Sequence, residues 1–329
     1  MNEILSISLN PAVDISSTAK AVKPTIKIRT SNQVHDPGGC GVNVARVIAT
    51  LGGRPKLLYM AGGATGALLR QILDFPSIEQ HCVSASAPTR ISYTVRDLER
   101  ELEYRFIPEG PAINPEEFQQ VLDIVEQLDF KYVVATGSLP KNAPPDAYAQ
   151  IANIAARKDA RVILDSSGRA LSETLEQANI FLVKPSLEEM EQLTGKSLDP
   201  EQAGEEALKI IQRGNVENIA VSMGGQGALL ATASGVHFAS APTVKLGSAV
   251  GAGDSFVAAM TFALANDIAV EEAFHLGIAA GSAAVMTTGT QLCRREDVIR
   301  LYRQESMSRD RQEVDRLLSV LDTDQISPL

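Results

Sequence analysis

Apolar and polar residues alternate singly over residues 4–9 ("ILSISL"), which predicts a β-strand. Alternation returns over 23–36 with exposed charge, predicting part of a second sheet. Residues 41–53 change period: Val44, Val47, Ile48 and Leu51 share one helical face, and a double glycine ends the run. A strand follows at 56–62, and a strand pair at 90–97 and 102–110 surrounds a charged turn. Beyond residue 115 helices and strands alternate. Helices at 115–128, 145–157 and 169–178 lead into strands at 132–138, 161–167 and 180–186. Two helices then fill 187–213, a strand covers 218–225, residues 227–240 form a hairpin, and the chain is helical from 250.

This order predicts an α/β fold with a mostly parallel sheet and helices on both faces. The strands after 130 are nearly all apolar, as doubly covered strands must be. Polar strands at 20–36 and 88–107 form a small appended sheet, serving as a lid, a dimer surface or decoration of the sheet edge. The organisation is one body over 1–304, followed by a charged tail at 305–329 with one amphipathic stretch at 314–321.

Composition narrows the function. The formal net charge of −10 over 329 residues argues against broad nucleic-acid binding and against adhesion to anionic membranes. Cys40, Cys82 and Cys293 are scattered and odd in number, so neither a disulfide framework nor a zinc site is expected, and a cytoplasmic location fits. The four histidines form no ligand motif. Neither a signal peptide nor a membrane helix is expected.

The chemistry-bearing stretch is "VGAGDSFVAAM" at 250–260. Gly251, Ala252 and Gly253 leave helix-start amides open to an anion, and the helix dipole favours negative charge there. Asp254 in the first turn can take a proton from a hydroxyl as a phosphoryl group arrives. Read alone, the stretch is equally a glycine-rich helix start capped by an aspartate. Lys184 closes a strand at a place that can reach nucleotide phosphates, and Glu188 and Glu189 can hold Mg²⁺ through water. Gly224, Gly225 and Gly227 cradle ATP or simply turn a hairpin. Asp14 and Asn43 suit sugar hydroxyls, with Gly38, Gly39 and Gly41 beside Asn43. Arg90, Arg105 and Lys27 suit a substrate phosphate, or occupy a solvated strand face. "TGKS" at 194–197 lacks the first Walker glycine, no complete G-x-G-x-x-G is present, and no G-x-S-x-G occurs.

"DPGGCGVNVARVIATLGG" near the start and "VGAGDSFVAAM" near the end resemble the two signatures of the ribokinase-like (PfkB) carbohydrate kinases, over about residues 4–304. Within that family "LNPAVD", "AGGATG", "TGSLP", "DSSGRAL" and "GTQLC" look most like the type 2 6-phosphofructokinases. The 1-phosphofructokinases and tagatose-6-phosphate kinases are neighbouring alternatives.

The resemblance implies a ribokinase-like fold with a β lid and ATP- and Mg²⁺-dependent transfer to the 1-hydroxyl of fructose 6-phosphate. It implies Asp254 as base and Gly251–Gly253 as anion hole. Asp14, Gly39, Asn43 and Ser138 would hold the sugar, and Arg90, Arg105 and Lys27 its phosphate. Lys184, Ser186, Ser222, Gly224 and Gly227 would line the ATP phosphates, with Ser282 by the adenine. Glu189 would organise Mg²⁺ with Asp165 nearby. Ser248, Val250, Ala284, Thr287, Gly289 and Gln291 would supply oxygens to K⁺. A homodimer through the lid strands is implied as well. Two positions depart from the pattern: Ser186 stands where Asn is usual, and Cys40 where Lys or Gly is usual. A sensor that has lost catalysis and a nucleoside kinase are the rival readings.

Overall fold

The computed structural model describes residues 3–305 and 311–322. Its main sheet contains β1 (Ile4–Ser8), β4 (Lys56–Ala61), β5 (Glu79–Ser84), β8 (Tyr132–Thr136), β9 (Arg161–Asp165), β10 (Ile180–Val183), β11 (Val216–Ser222), β12 (Ala228–Thr232) and β13 (Gly235–Ala239). They run in the order β13-β12-β11-β10-β9-β8-β1-β4-β5. All neighbours pair in parallel except β11–β12 and β12–β13, so the hairpin expected at 227–240 caps one edge. The order reverses between β1 and β8. At such a switch point two crossovers diverge and leave a crevice at the carboxyl ends of the strands.

Helices are α1 (Cys40–Thr50), α2 (Gly63–Ile72), α3 (Pro115–Gln127), α4 (Ala147–Arg157), α5 (Gly168–Gln177), α6 (Leu187–Thr194), α7 (Pro200–Gln212), α8 (Ala252–Leu264), α9 (Val270–Ala284), α10 (Arg295–Glu305) and α11 (Arg311–Asp322). Helices α3 to α7 cover one face, with Phe118, Tyr148, Ile151 and Leu171 buried against it. On the other face α1, α8 and α9 pack with Val47, Phe256, Met260 and Phe274. Local chemistry sets the helix starts. Asn114/Glu117, Ser186/Glu189 and Asp199/Gln202 each form a reciprocal capping box, two of them followed by proline.

The second sheet is the lid, with order β3-β2-β6-β7: β2 (Ala12–Ala19), β3 (Thr30–Gly38), β6 (Arg90–Asp97) and β7 (Leu102–Phe106). This corrects the expected extent 20–36. Its first strand lies earlier, at Ala12–Ala19, and residues 20–29 form no strand. β1 ends at Ser8, and the chain passes into a different sheet after Pro11.

The amphipathic stretch 314–321 is also more than an appended tail. It lies in α11, where Val314, Leu317 and Leu321 are buried in the same apolar cluster as α8 and α9. The rest of the expected tail, 306–310 and 323–329, lies outside the described residues.

Candidate active site

The carboxyl ends of β1, β8, β9, β10 and β11 deliver Asn10, Ser138, Asp165, Lys184 and Ser222 to the crevice at the switch point. From the other side come the first turns of α1 and α8. Gly251 caps α8 in the left-handed region, φ 73°, where glycine carries no Cβ penalty. The first-turn amides of Gly253 and Asp254 have no backbone acceptor among the described residues. They remain available to an anion.

Asp254 is 9% exposed. Burial first, and then the charge of Asp165, push its carboxyl up to about 6; Asn43, Cys40 and Lys184 oppose that rise. Asn43 donates its Nδ2–H to Asp254 Oδ2 at 2.8 Å. The Cys40 thiol is pushed well above its usual range by burial and by the Asp254 and Asp165 carboxylates. It therefore stays protonated and faces Asp254 as a donor.

Lys184 is buried and pairs with Asp165 Oδ1 at 3.0 Å. Burial alone would lower its pKa, but Asp165, Glu189 and Asp254 outweigh that and hold it above the usual value. A Cβ at Gly253 would sit 3.7 Å from Lys184 Nζ, so the ammonium lies directly beside the open amides. Thr136 donates to the other oxygen of Asp165 at 3.3 Å.

The lid supplies the opposite wall. Asp14 on β2 has its pKa raised by burial, with Ser92, Arg90 and Arg46 opposing. Gly38 is dictated by this carboxylate, because a Cβ there would lie 2.1 Å from Asp14 Oδ2. Arg90 on β6 donates to Asn10 O at 2.9 Å and to Pro108 O at 3.2 Å. Its Nε is buried with no partner. Asn10 donates to Ser138 Oγ at 3.0 Å, and its own Oδ1 is buried and unpartnered. The orphaned Nε of Arg90, whose charge acts on Asp14, marks a place for a polar ligand; Asn10 Oδ1 lies instead against Gly110. Asn10 was not among the expected site residues; the only hint in sequence was its place just before a proline at a strand exit. Gly39 caps α1 in the same crevice. Lys27 and Arg105 are exposed, and their side chains make no hydrogen bond or ion pair among the described residues; through Thr94, Arg105 shares the lid face of Asp14.

Beyond the open amides lies a cavity of about 500 Å³. Ser222, Gly224 and Gly227 line one side; Gly253, Phe256, Ile278 and Ser282 line the other. Gly253, beside which Lys184 lies, joins this lining, and Val244, Leu246 and Val285 add apolar surface. Such a mixed lining suits a nucleotide.

Ser186 and Glu189 are partly committed to the α6 cap. Ser186 N donates to Glu189 Oε2 at 2.8 Å, and Glu189 N donates to Ser186 Oγ at 3.2 Å. Glu189 Oε1 keeps no hydrogen bond among the described residues. Several residues expected around K⁺ are linked by local hydrogen bonds. The Thr287 hydroxyl faces both Ala284 O (2.8 Å) and Gln291 O (2.7 Å). Val250 N donates to Ser248 Oγ at 3.3 Å, and Ser248 Oγ donates to Glu103 Oε1 of the lid at 3.1 Å. Gly289 packs against Ser16 of β2.

The profile of the pfkB family carbohydrate kinases matches residues 1–297. The chain is 39% identical over 304 residues to ATP-dependent 6-phosphofructokinase isozyme 2 of Mycobacterium tuberculosis, spanning 91% of this chain and 88% of that one. It is 34% identical over 286 residues to 1-phosphofructokinase of Bacillus subtilis, covering 86% and 93%. The crystal structure of phosphofructokinase-2 from Escherichia coli in complex with potassium superposes with a TM-score of 0.89 at 37% identity. That match covers 93% of this chain and 100% of the other.

Proposed function

The chain belongs to the pfkB family of carbohydrate kinases, and on that premise we propose that it transfers the γ-phosphoryl group of ATP to the 1-hydroxyl of fructose 6-phosphate. The products are fructose 1,6-bisphosphate and ADP. The observation that carries this reading is the juxtaposition of a buried carboxylate, free helix-start amides and a buried ammonium within one crevice. Asp254 takes the proton of the attacking hydroxyl. The Gly253 and Asp254 amides and Lys184 hold the charge spreading over the migrating group. Asp14, Asn43 and Ser138 orient the sugar, and Arg90, with its unpartnered Nε, binds its 6-phosphate.

Mg²⁺ fits this donor set in a limited way. No group of three or more His, Cys, Asp or Glu side chains among the described residues could hold a metal alone. The free Oε1 of Glu189, with Asp165 nearby, suits an ion held chiefly by phosphate oxygens and water. When bound, the ion neutralises charge between the ATP phosphates. The converging carbonyls of Ala284 and Gln291 around one hydroxyl proton suit K⁺, a hard cation seeking oxygens.

The β7 edge of the lid exposes Leu102 and Phe106, with Ile107 just beyond it, and Phe106 is 58% exposed. Such an exposed apolar edge on a small sheet suits a second copy of this chain. Substituting Phe106 by Asp is expected to shift the protein from dimer to monomer in sedimentation velocity. An unchanged dimer would place the interface elsewhere. No helix among the described residues is long and apolar enough to cross a membrane.

The proton acceptor also sets the pH dependence. Asp254 must be ionised to act, and its pKa is pushed up to about 6. kcat/KM should therefore fall as pH drops through about 6 and level off above pH 7. A profile flat from pH 5 to pH 8 contradicts Asp254 as the base.

The substrate is tested by kcat/KM with Mg²⁺–ATP against fructose 6-phosphate, fructose 1-phosphate, tagatose 6-phosphate and unphosphorylated fructose. Preference for fructose 6-phosphate is expected. Preference for fructose 1-phosphate would move this chain to the activity for which its Bacillus relative is named.

A further inference from the structure

The amide of Asn43 has two nearly isosteric orientations, and only one presents a donor to Asp254. The other would set a carbonyl oxygen against a carboxylate. Asp254 itself favours the first, and a donor at the other end of the amide reinforces it. Three residues further along α1, on the same helix face, Arg46 places Nη1 3.4 Å from Asn43 Oδ1. A guanidinium only donates, so it accepts no orientation of Asn43 except oxygen toward Arg46 and nitrogen toward Asp254.

Arg46 is itself held. The same Nη1 donates to Pro37 O at 2.7 Å, Nη2 lies 3.9 Å from Asp36 Oδ1, and the guanidinium carbon stands 5.5 Å from the Phe75 ring centroid. Asp36 in turn accepts from Thr290 Oγ1 at 2.6 Å. Its side chain is only 12% exposed, and its Nε is buried without a partner. Burying a guanidinium this way is costly, and an apolar side chain of similar volume would serve stability as well or better. The fixed contacts point instead to orientation. Asp254 is faced by Asp165 from β9, by Lys184 at the end of β10, and by Cys40 and Asn43 from α1. Among these, Asn43 is the neutral donor that can turn around.

We infer that Arg46 is a positioning residue that locks the Asn43 amide in the orientation that holds the Asp254 carboxylate for proton transfer. The inference rests on the reading of Asp254 as the base. It does not give Arg46 any contact with the reacting atoms.

A double-mutant cycle on the full chain tests it. Wild type, N43A, R46M and the double variant are assayed with Mg²⁺–ATP and fructose 6-phosphate each varied at saturating levels of the other. R46M is expected to lower kcat about 10-fold, with the KM for ATP unchanged. N43A is expected to lower it about 100-fold. The double variant should fall within about 2-fold of N43A, because Arg46 acts through Asn43. R46K keeps the charge but loses the fork that reaches Pro37 O and Asn43 Oδ1 together, and a loss of about 3-fold is expected. If R46M does not fold, the same cycle is run with R46K, whose loss should vanish in the N43A background. Wild-type kcat in R46M, or losses that multiply in the double variant, overturns the inference while leaving the proposed function intact. Absence of transfer by wild type overturns both.

Discussion

Replacing Asp254 with Asn is expected to abolish turnover while making the protein more stable at neutral pH. The carboxylate is the group read as taking the hydroxyl proton, and its amide replacement cannot do so. A loss of about 10³-fold or more in kcat follows. The stability gain has a separate origin. The folded pKa of about 6 lies above the unfolded value. Folding therefore favours the protonated form. The penalty for the buried anion is absent below about pH 4, grows between about pH 4 and 6, and is fully present above. The gap between the two values is worth about 3 kcal/mol, which the neutral amide removes. The replacement's oxygen can still accept from Asn43. Melting at pH 7.5 should rise by about 5 °C, and the gain should disappear near pH 4. A lower Tm at pH 7.5, or retained turnover, would contradict this account.

Lys184 is expected to behave in the opposite sense. It is the one ammonium facing Asp165, Glu189 and Asp254 together. Lys184→Met leaves those charges uncompensated inside the protein, and losing one partner of a buried pair typically costs about 3–5 kcal/mol. A large drop in Tm and a fall in kcat/KM of at least about 100-fold should appear together. Adding Asp165→Asn removes the orphaned charge that paired directly with Lys184. Stability should then largely return while activity stays lost, since nothing replaces the ammonium beside the open amides. Recovery of activity in the double variant would show that Lys184 serves the fold alone. Calorimetry and steady-state kinetics on the single and double variants separate the two outcomes.

Much of this arrangement was legible in the sequence for a physical reason. Strands covered on both faces must be apolar, so β8 to β11 stand out, and the glycines before α8 mark a helix start with exposed amides. The reading failed where both faces of a segment are exposed. Residues 23–29 alternate but are exposed throughout, so the alternation carried no burial information and no strand forms. β2 was missed because nothing in "LNPAVD" reveals a change of sheet. The edge strand β5, "EQHCVS", is polar, and α2 opens on glycines; neither gave a periodic signal.

The site divides along the same line. Asp254, Lys184, Asp14, Asn43 and Arg90 could be named from residue type and position near turns. Arg46 could not, since an arginine on an amphipathic helix reads as solvated until tertiary packing buries it. Cys40 stood out only as a departure from the family pattern. Packing turns it toward Asp254. Ser186 was a second departure, and its hydroxyl is occupied in capping α6.

The most direct test of the central claim is the identity of the product. Purified protein, Mg²⁺–ATP and fructose 6-phosphate should be followed by ³¹P NMR. The account predicts that one new phosphomonoester at the 1-position appears in step with ADP, giving fructose 1,6-bisphosphate with no orthophosphate. ADP accompanied only by orthophosphate, or no consumption of ATP at all, would contradict it.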